Sequence, residues 1–214
     1  MTRIKICGIT RVADGAAAAL AGADAIGLNF WPGTPRRVDF DTARAIVAAL
    51  PPMVSVVGLF VDPMVADVRE AMAAVPLDLL QFHGNEAPQF CRAFGKRYLK
   101  AIPVRDGVDL LKYAERYDDA AGWIFDAHVP GDLPGGTGQR FDWSLLPRAT
   151  ARPLVLSGGL DAANVTQAIQ AVRPFAVDVS SGVEMQDAAG RPRRGVKDPA
   201  RIAAFVKAVR HAND

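Results

Sequence analysis

Near the start of the chain a short alternating run, Arg3-Ile4-Lys5-Ile6-Cys7, ends on a thiol and is followed at once by Gly8. A structural cysteine usually sits mid-element among apolar neighbours, whereas Cys7 sits where a strand gives way to a turn. It therefore reads either as a small core residue or as a reagent. Strand alternation puts Lys5 and Arg3 on the face of Cys7, and Ile4 and Ile6 on the other. The same parity in the run 175–180 groups Ala176, Asp178 and Ser180 against Val177 and Val179. In 122–127 it sets Ile124 and Asp126 against Trp123 and Phe125. A thiol, an ammonium and two carboxylates can do acid–base work if they converge. The thiol then needs a nearby cation to favour its ionised form, and a carboxyl that donates needs burial or a second carboxylate to hold its proton. Lys5, a layer beneath Cys7, should meet Asp178 or Asp126, because an unpaired buried ammonium is costly.

The elements that must position these groups recur along the whole chain. Short β-branched runs at 3–7, 24–30, 53–61, 77–82, 97–102, 122–127, 153–158 and 175–180 read as strands. Between them, segments near 11–21, 41–49, 63–74, 86–94, 107–117, 142–149, 161–172 and 198–211 have helical character. Pro63, Pro88 and Pro199 stand near helix starts, where a missing N–H is tolerated, and Asp161 and Asp198 suit N-caps. Eight strand–helix units of about 27 residues in 214 fit a single-domain α/β fold, a small (β/α)8 TIM barrel over 1–214. An open doubly wound sheet is the alternative, but no G-x-G-x-x-G follows the first strand. In such a barrel the active site lies at the C-terminal strand ends, where Cys7, Asp126 and Ser180 fall.

Bulk properties narrow the function classes. Half the residues are hydrophobic and the formal net charge is +2, so neither a nucleic-acid nor a membrane partner is implied. No apolar run approaches the roughly 18 residues of a membrane helix. The absence of a leader-like N-terminal stretch, and two cysteines without a disulfide framework, point to the cytoplasm. The acceptor triplet Asn164-Val165-Thr166 reads as chance in that setting. No His, Cys and carboxylate cluster has metal-ligand spacing.

Seven segments together resemble one family. They are K-I-C-G-I-T at 5–10, N-F-W-P-G-T-P-R at 29–36, Q-F-H-G at 81–84, F-D-A at 125–127, G-G-T-G at 135–138, L-S-G-G-L at 156–160 and V-D-V-S-S-G-V-E at 177–184. In this order they resemble the phosphoribosylanthranilate isomerases of tryptophan biosynthesis. The resemblance implies a cofactor-free barrel, monomeric or homodimeric. Such a barrel would convert a small phosphorylated substrate, N-(5-phosphoribosyl)anthranilate, to 1-(2-carboxyphenylamino)-1-deoxyribulose 5-phosphate by an Amadori rearrangement. It implies Cys7 as general base and Asp126 as general acid, with Arg36 holding the anthranilate carboxylate. Lys5 and Asp178 are expected to tune that pair. Phosphate is expected at Gly158 and Gly159 and at Ser180, Ser181 and Gly182, on the turns after the seventh and eighth strands. His83 matches the family's histidine, as a substrate contact or a brace for neighbouring loops. The glycines at 135–138 suit an active-site loop. His128 has no assignable role, and Cys91 reads as structural.

One segment departs from the family. The last connection, V-E-M-Q-D-A-A-G-R-P-R-R-G-V-K-D, keeps Gly195, Lys197 and Asp198 but inserts Arg191, Arg193 and Arg194. This basic run reads as a solvated loop, or as a means of attracting an anionic substrate. Two other functions compete. A histidine-pathway aminoaldose isomerase would carry a carboxylate at Cys7 and show half-to-half similarity. A non-catalytic barrel binding a phosphorylated metabolite would need no acid–base pair.

Overall fold

The computed structural model describes residues 1–105, 107–127 and 141–212. Eight parallel strands close into a barrel in chain order: β1 (Arg3–Cys7), β2 (Ala25–Asn29), β3 (Ser55–Phe60), β4 (Leu79–Phe82), β5 (Tyr98–Val104), β6 (Gly122–Ala127), β7 (Leu154–Leu156) and β8 (Ala176–Val179). Each falls within, or within two residues of, the run its β-branched pattern predicts. Helices α1 (Val12–Ala21), α2 (Phe40–Ala48), α3 (Val65–Ala74), α4 (Pro88–Arg92), α5 (Leu110–Ala114), α6 (Val165–Val172) and α7 (Pro199–His211) occupy strand connections. Two of the expected helix starts hold closely. Pro88 and Pro199 open α4 and α7, and the Asp198 carboxylate accepts from the Ala200 and Arg201 N–H groups. Asn164 rather than Asp161 precedes α6, while Asp161 caps the turn before it through the Ala163 and Asn164 N–H groups.

The helix expected at 142–149 does not form. A 3₁₀ turn over Trp143–Leu145 stands there, and Leu146 is already extended at φ −75°, ψ 142°. Leu146 precedes Pro147, whose ring disfavours helical backbone in the residue before it. The second difference lies after β8. The arginine-bearing insert forms an antiparallel ribbon, β9 (Glu184–Gln186) with β10 (Pro192–Lys197), rather than a loop. Arg191, Arg193 and Arg194 are exposed on it, with Arg191 paired to Asp187 at 2.9 Å.

Parity sorts the strand residues as alternation requires. Ile4, Ile6, Trp123, Phe125, Val177 and Val179 join the continuous core between sheet and helices. Burying each such side chain contributes on the order of 1.5–3 kcal/mol. Aromatic contacts extend this layer, with Phe30 against Phe40 at 5.6 Å and Phe82 against Phe94 at 5.8 Å between ring centroids. Phe40 and Phe94 are thus packed within the chain. Inside the barrel, Ile124, Val155 and Ala176 form an apolar floor near the N-terminal ends of their strands. Polar residues begin one layer above it.

Candidate active site

Closure of the barrel pairs the first strand with the last. Lys5 on β1 and Asp178 on β8 are register partners, although they stand 173 residues apart in the chain. The Lys5 ammonium donates to both Asp178 oxygens, at 2.9 and 3.0 Å, and both side chains are buried. This meets the expectation that Lys5 finds a carboxylate, and selects Asp178 over Asp126. Burial pulls the Lys5 pKa down, but Asp178 and Cys7 more than offset it and leave it above its ordinary value.

The Cys7 thiol lies beside Lys5 at the top of β1. Burial pushes its pKa up and Asp178 adds to this, while Lys5 opposes; the net direction is upward. The free site therefore holds a thiol, not the ionised group a lone neighbouring cation would give. Two glycines shape its surroundings. Gly8 turns the chain at φ +73°, a conformation side chains rarely adopt, and a Cβ there would stand 2.8 Å from the Arg36 Cδ. Gly27, the register partner of Cys7 on β2, leaves room for the reagent itself. A Cβ at Gly27 would stand 2.8 Å from the Cys7 Sγ and 3.1 Å from the Lys5 Nζ.

Asp126 is buried one residue before the end of β6 and reaches the same pocket from three strands away from β1 around the closed barrel. Its Oδ2 lies 3.1 Å from His83 Nε2, and His83 Nδ1 lies 3.0 Å from the Gln81 side-chain nitrogen. His83 follows β4, held by its N–H to the Phe60 carbonyl. It thus stands against Asp126 rather than merely under a loop. Gly158, after β7, adjoins the other oxygen; a Cβ there would lie 3.1 Å from Asp126 Oδ1.

Arg36 is buried in the β2–α2 loop, whereas its neighbour Arg37 is exposed. Its Nε and Nη2 donate to the two Glu184 oxygens at 2.7 and 2.9 Å, a bidentate pairing suited to a planar guanidinium. Glu184 also accepts from the Gly195 N–H at 2.8 Å, and the buried Lys197 ammonium lies 3.4 Å away. Burial would raise the Glu184 pKa, but Arg36, Lys197 and Gly195 outweigh it and hold the carboxylate ionised. Burial and the nearby Arg36 push Lys197 down to about 8, against the opposing pull of Glu184. Lys197 also donates to the Ser180 carbonyl at 2.9 Å and contacts its hydroxyl at 3.3 Å. The β9–β10 ribbon therefore braces both Arg36 and the turn after β8.

Cys7, Arg36, Gln81, His83, Asp126, Asp178 and Ser180 line one pocket at the C-terminal strand ends. At its rim, Gly158 and Gly159 have φ values of +89° and +62°, and Ser181 and Gly182 lead into a 3₁₀ turn rather than a full helix. A Cβ at Gly182 would meet the Leu160 carbonyl oxygen at 2.0 Å, so the turns after β7 and β8 approach closely because Gly182 has no side chain. The 135–138 glycine segment and His128 lie outside the described residues. Cys91, buried with its pKa pushed up to about 12 by burial, stands apart from the pocket. Among the described residues no His, Cys, Asp and Glu group is arranged to hold a metal ion.

Glu184, Lys197, Gln81 and Gly27 were not singled out from the sequence. Gln81 had a readable signal: it is the polar residue on the inward parity of an otherwise apolar strand. Glu184 and Lys197 had none beyond their place in the motifs, because the ribbon that brings them under Arg36 is a tertiary feature.

Fold and pocket together define the class: a (β/α)8 barrel with a thiol and a carboxyl group opposed at the mouth. Residues 4–208 match the family model for N-(5'-phosphoribosyl)anthranilate (PRA) isomerase. The chain belongs to this family and is an enzyme, a phosphoribosylanthranilate isomerase of tryptophan biosynthesis. It is 52% identical over 210 residues to the N-(5'-phosphoribosyl)anthranilate isomerase of Pseudomonas putida, covering 98% of both chains. With the Nitrosospira multiformis enzyme it shares 51% over 207 residues, 97% of this chain and 96% of the other. The solved Thermotoga maritima phosphoribosylanthranilate isomerase superposes with a TM-score of 0.87 at 38% identity, covering 99% of this chain and 100% of that one. Among the described residues no helix is long and apolar enough to cross a membrane.

Proposed function

We propose that the pocket carries out an Amadori rearrangement of N-(5-phosphoribosyl)anthranilate, with Asp126 as general acid and Cys7 as general base. One observation carries this reading: a buried thiol and a buried carboxyl group, from different strands, line a single pocket that a buried arginine also enters. Asp126 gives a proton to the ribose ring oxygen as the C1–O bond breaks, and the anthranilate nitrogen supplies the electron pair that forms the iminium. The iminium acidifies the C2 hydrogen. Cys7, as thiolate, removes that proton and leaves the enolamine, which takes a proton at C1 and loses one from its C2 hydroxyl to become the ketone. Substrate and product are isomers, so protons balance and no oxidant or reductant enters.

The electrostatics suit this order of events. Burial holds most of the free enzyme as the thiol; the fraction that reacts has first lost that proton to solvent, and Lys5 stabilises its thiolate. Arg36, fixed by Glu184, presents a planar cation to the anthranilate carboxylate. Gly158, Gly159, Ser180, Ser181 and Gly182 offer backbone and hydroxyl groups to the phosphate at the rim. A solved phosphoribosylanthranilate isomerase, 37% identical over 99% of this chain, was crystallised with reduced 1-(o-carboxyphenylamino)-1-deoxyribulose 5-phosphate, which supports this choice of ligand. Cytoplasmic location and a monomeric or homodimeric state belong to the same reading; a related Thermotoga maritima enzyme is described as dimeric with engineered monomers.

The test follows the decay of phosphoribosylanthranilate fluorescence. Wild type should turn over substrate, and Cys7→Ser and Asp126→Asn should each lose about 10²–10⁴-fold in kcat, the usual contribution of a positioned acid or base. An inactive wild type would refute the assignment. Near-full activity in Cys7→Ser would remove the thiol from the role of base.

A further inference from the structure

Gln81 is fully buried on the inward face of β4, and its side-chain oxygen has no hydrogen-bond partner among the described residues. Its nitrogen, 3.0 Å from His83 Nδ1, donates there. That fixes the tautomer: Nδ1 accepts, so Nε2 carries the hydrogen and donates to Asp126 Oδ2 at 3.1 Å. In this arrangement Oδ2 accepts and holds no proton of its own to give. An orphaned buried acceptor is costly and asks for a donor.

That donor appears when the His83–Asp126 couple takes up one proton. With that proton on Oδ2 and directed at Nε2, or on the imidazole itself, Nδ1 bears hydrogen and needs an acceptor. The oxygen and nitrogen of a side-chain amide occupy nearly the same space, so a half-turn about the last bond of Gln81 brings its orphaned oxygen to Nδ1–H. We propose that Gln81 is a positioning residue that reverses its amide as the His83–Asp126 couple gains and loses the proton delivered to the substrate. The inference rests on the isomerase reading above. It extends that reading by assigning how the acid is loaded. Before ring opening the oxygen faces His83 and the couple holds its proton. After Asp126 gives that proton to the ring oxygen, the nitrogen faces His83 and the ionised Asp126 accepts from Nε2.

The charged and titratable groups around the couple come from five directions. Cys7 and Lys5 project from β1, Asp178 from β8 and Arg36 from the β2–α2 loop, while Asp62 and Arg105 follow β3 and β5 at the outer side. The amide responds to either state, which a fixed donor or a fixed acceptor does not.

The experiment uses the full chain labelled with ¹⁵N-histidine, titrated from about pH 5 to about pH 9 around the ordinary histidine midpoint. The chain has three histidines, and a His83→Asn sample identifies the relevant signals. Neutral His83 should be protonated on Nε2 and bare on Nδ1, and should gain the Nδ1 hydrogen in one step on acidification. In Gln81→Glu a carboxylate that only accepts should move that step up by about one pH unit, a tenfold change. The alkaline limb of kcat/KM should move with it, whereas a merely structural role would lower kcat alike at every pH. His83 found protonated on Nδ1 and bare on Nε2 at the alkaline end of the titration would overturn the proposal, as would a step unmoved in Gln81→Glu. The wild-type titration decides the matter even if that variant does not fold. Lack of wild-type turnover would refute the isomerase reading instead, independently of the titration.

Discussion

Replacing Gly27 by alanine isolates the geometry of the thiol. The new Cβ would stand 2.8 Å from the Cys7 Sγ, 3.1 Å from the Cys7 Cα and 3.1 Å from the Lys5 Nζ. Carbon and its neighbours rest comfortably at about 3.5–4.0 Å, so the sulfur must retreat by about 1 Å. Gly27 lies inside β2 and is not among the residues with positive φ, so its backbone accepts alanine and the strain is confined to side chains. Overpacking of this kind costs about 1–3 kcal/mol of stability. A misplacement of about 1 Å in a reacting group costs about 100-fold in rate, or about 2.7 kcal/mol in barrier. Gly27→Ala should therefore fold, melt a few degrees lower and lose about 100-fold in kcat/KM by the fluorescence assay. Gly122→Ala is the control. It is crowded by the Pro153 carbonyl oxygen at 3.0 Å and by Leu99, at the opposite end of the barrel. It should lose stability and keep its rate. A Gly27→Ala enzyme with near wild-type kcat/KM would refute the claim that Cys7 must occupy this position.

Three further outcomes follow from the charged groups. Glu184→Gln removes one of the two charged bonds to Arg36, each worth about 1.5–3 kcal/mol, and should raise KM about tenfold or more with a smaller change in kcat; an unchanged KM would count against Arg36 as the carboxylate anchor. Asp178 raises the Cys7 pKa and engages Lys5, so Asp178→Asn should speed iodoacetamide alkylation of Cys7 at neutral pH in a Cys91→Ala background; slower alkylation would contradict this. Lys197 titrates at about 8 in the fold, below its ordinary 10.5, so between these values the unfolded chain binds a proton that the folded chain does not. Stability from this group must then rise with pH across that window, and the melting temperature of wild type relative to Lys197→Met should climb from pH 8 to pH 10 by calorimetry. A flat or falling difference would show that Lys197 is not held down by burial.

Much of the barrel is legible in the chain because its strands obey local rules. Runs such as 3–7 and 122–127 carry a period-two pattern that no helix satisfies, and they match β1 and β6 to the residue. The same parity announced that Cys7, Asp126 and Asp178 face inward, and burial chemistry then demanded a carboxylate for Lys5. The sixth expected helix, at 142–149, failed where Pro147 overrode a helical composition, which is itself a local effect. By contrast, the arginine-bearing insert looked like solvent-exposed loop because a ribbon's pairing depends on strands meeting in space.

The sequence by itself determined which residue types stand at the strand ends, since alternation needs only neighbouring positions. Tertiary structure alone decided their partners. Closure of β8 onto β1 gave Lys5 to Asp178, and burial, with Asp178 adding to it, left Cys7 a thiol rather than the ionised group its neighbouring lysine suggested. The ribbon gave Arg36 to Glu184, and the step from β4 to β6 gave His83 to Asp126. Each pairing joins residues 43 or more positions apart, and the first two hold Lys5 and Glu184 in their charged forms. Protonation depends on distance and burial in three dimensions, which spacing along the chain does not contain.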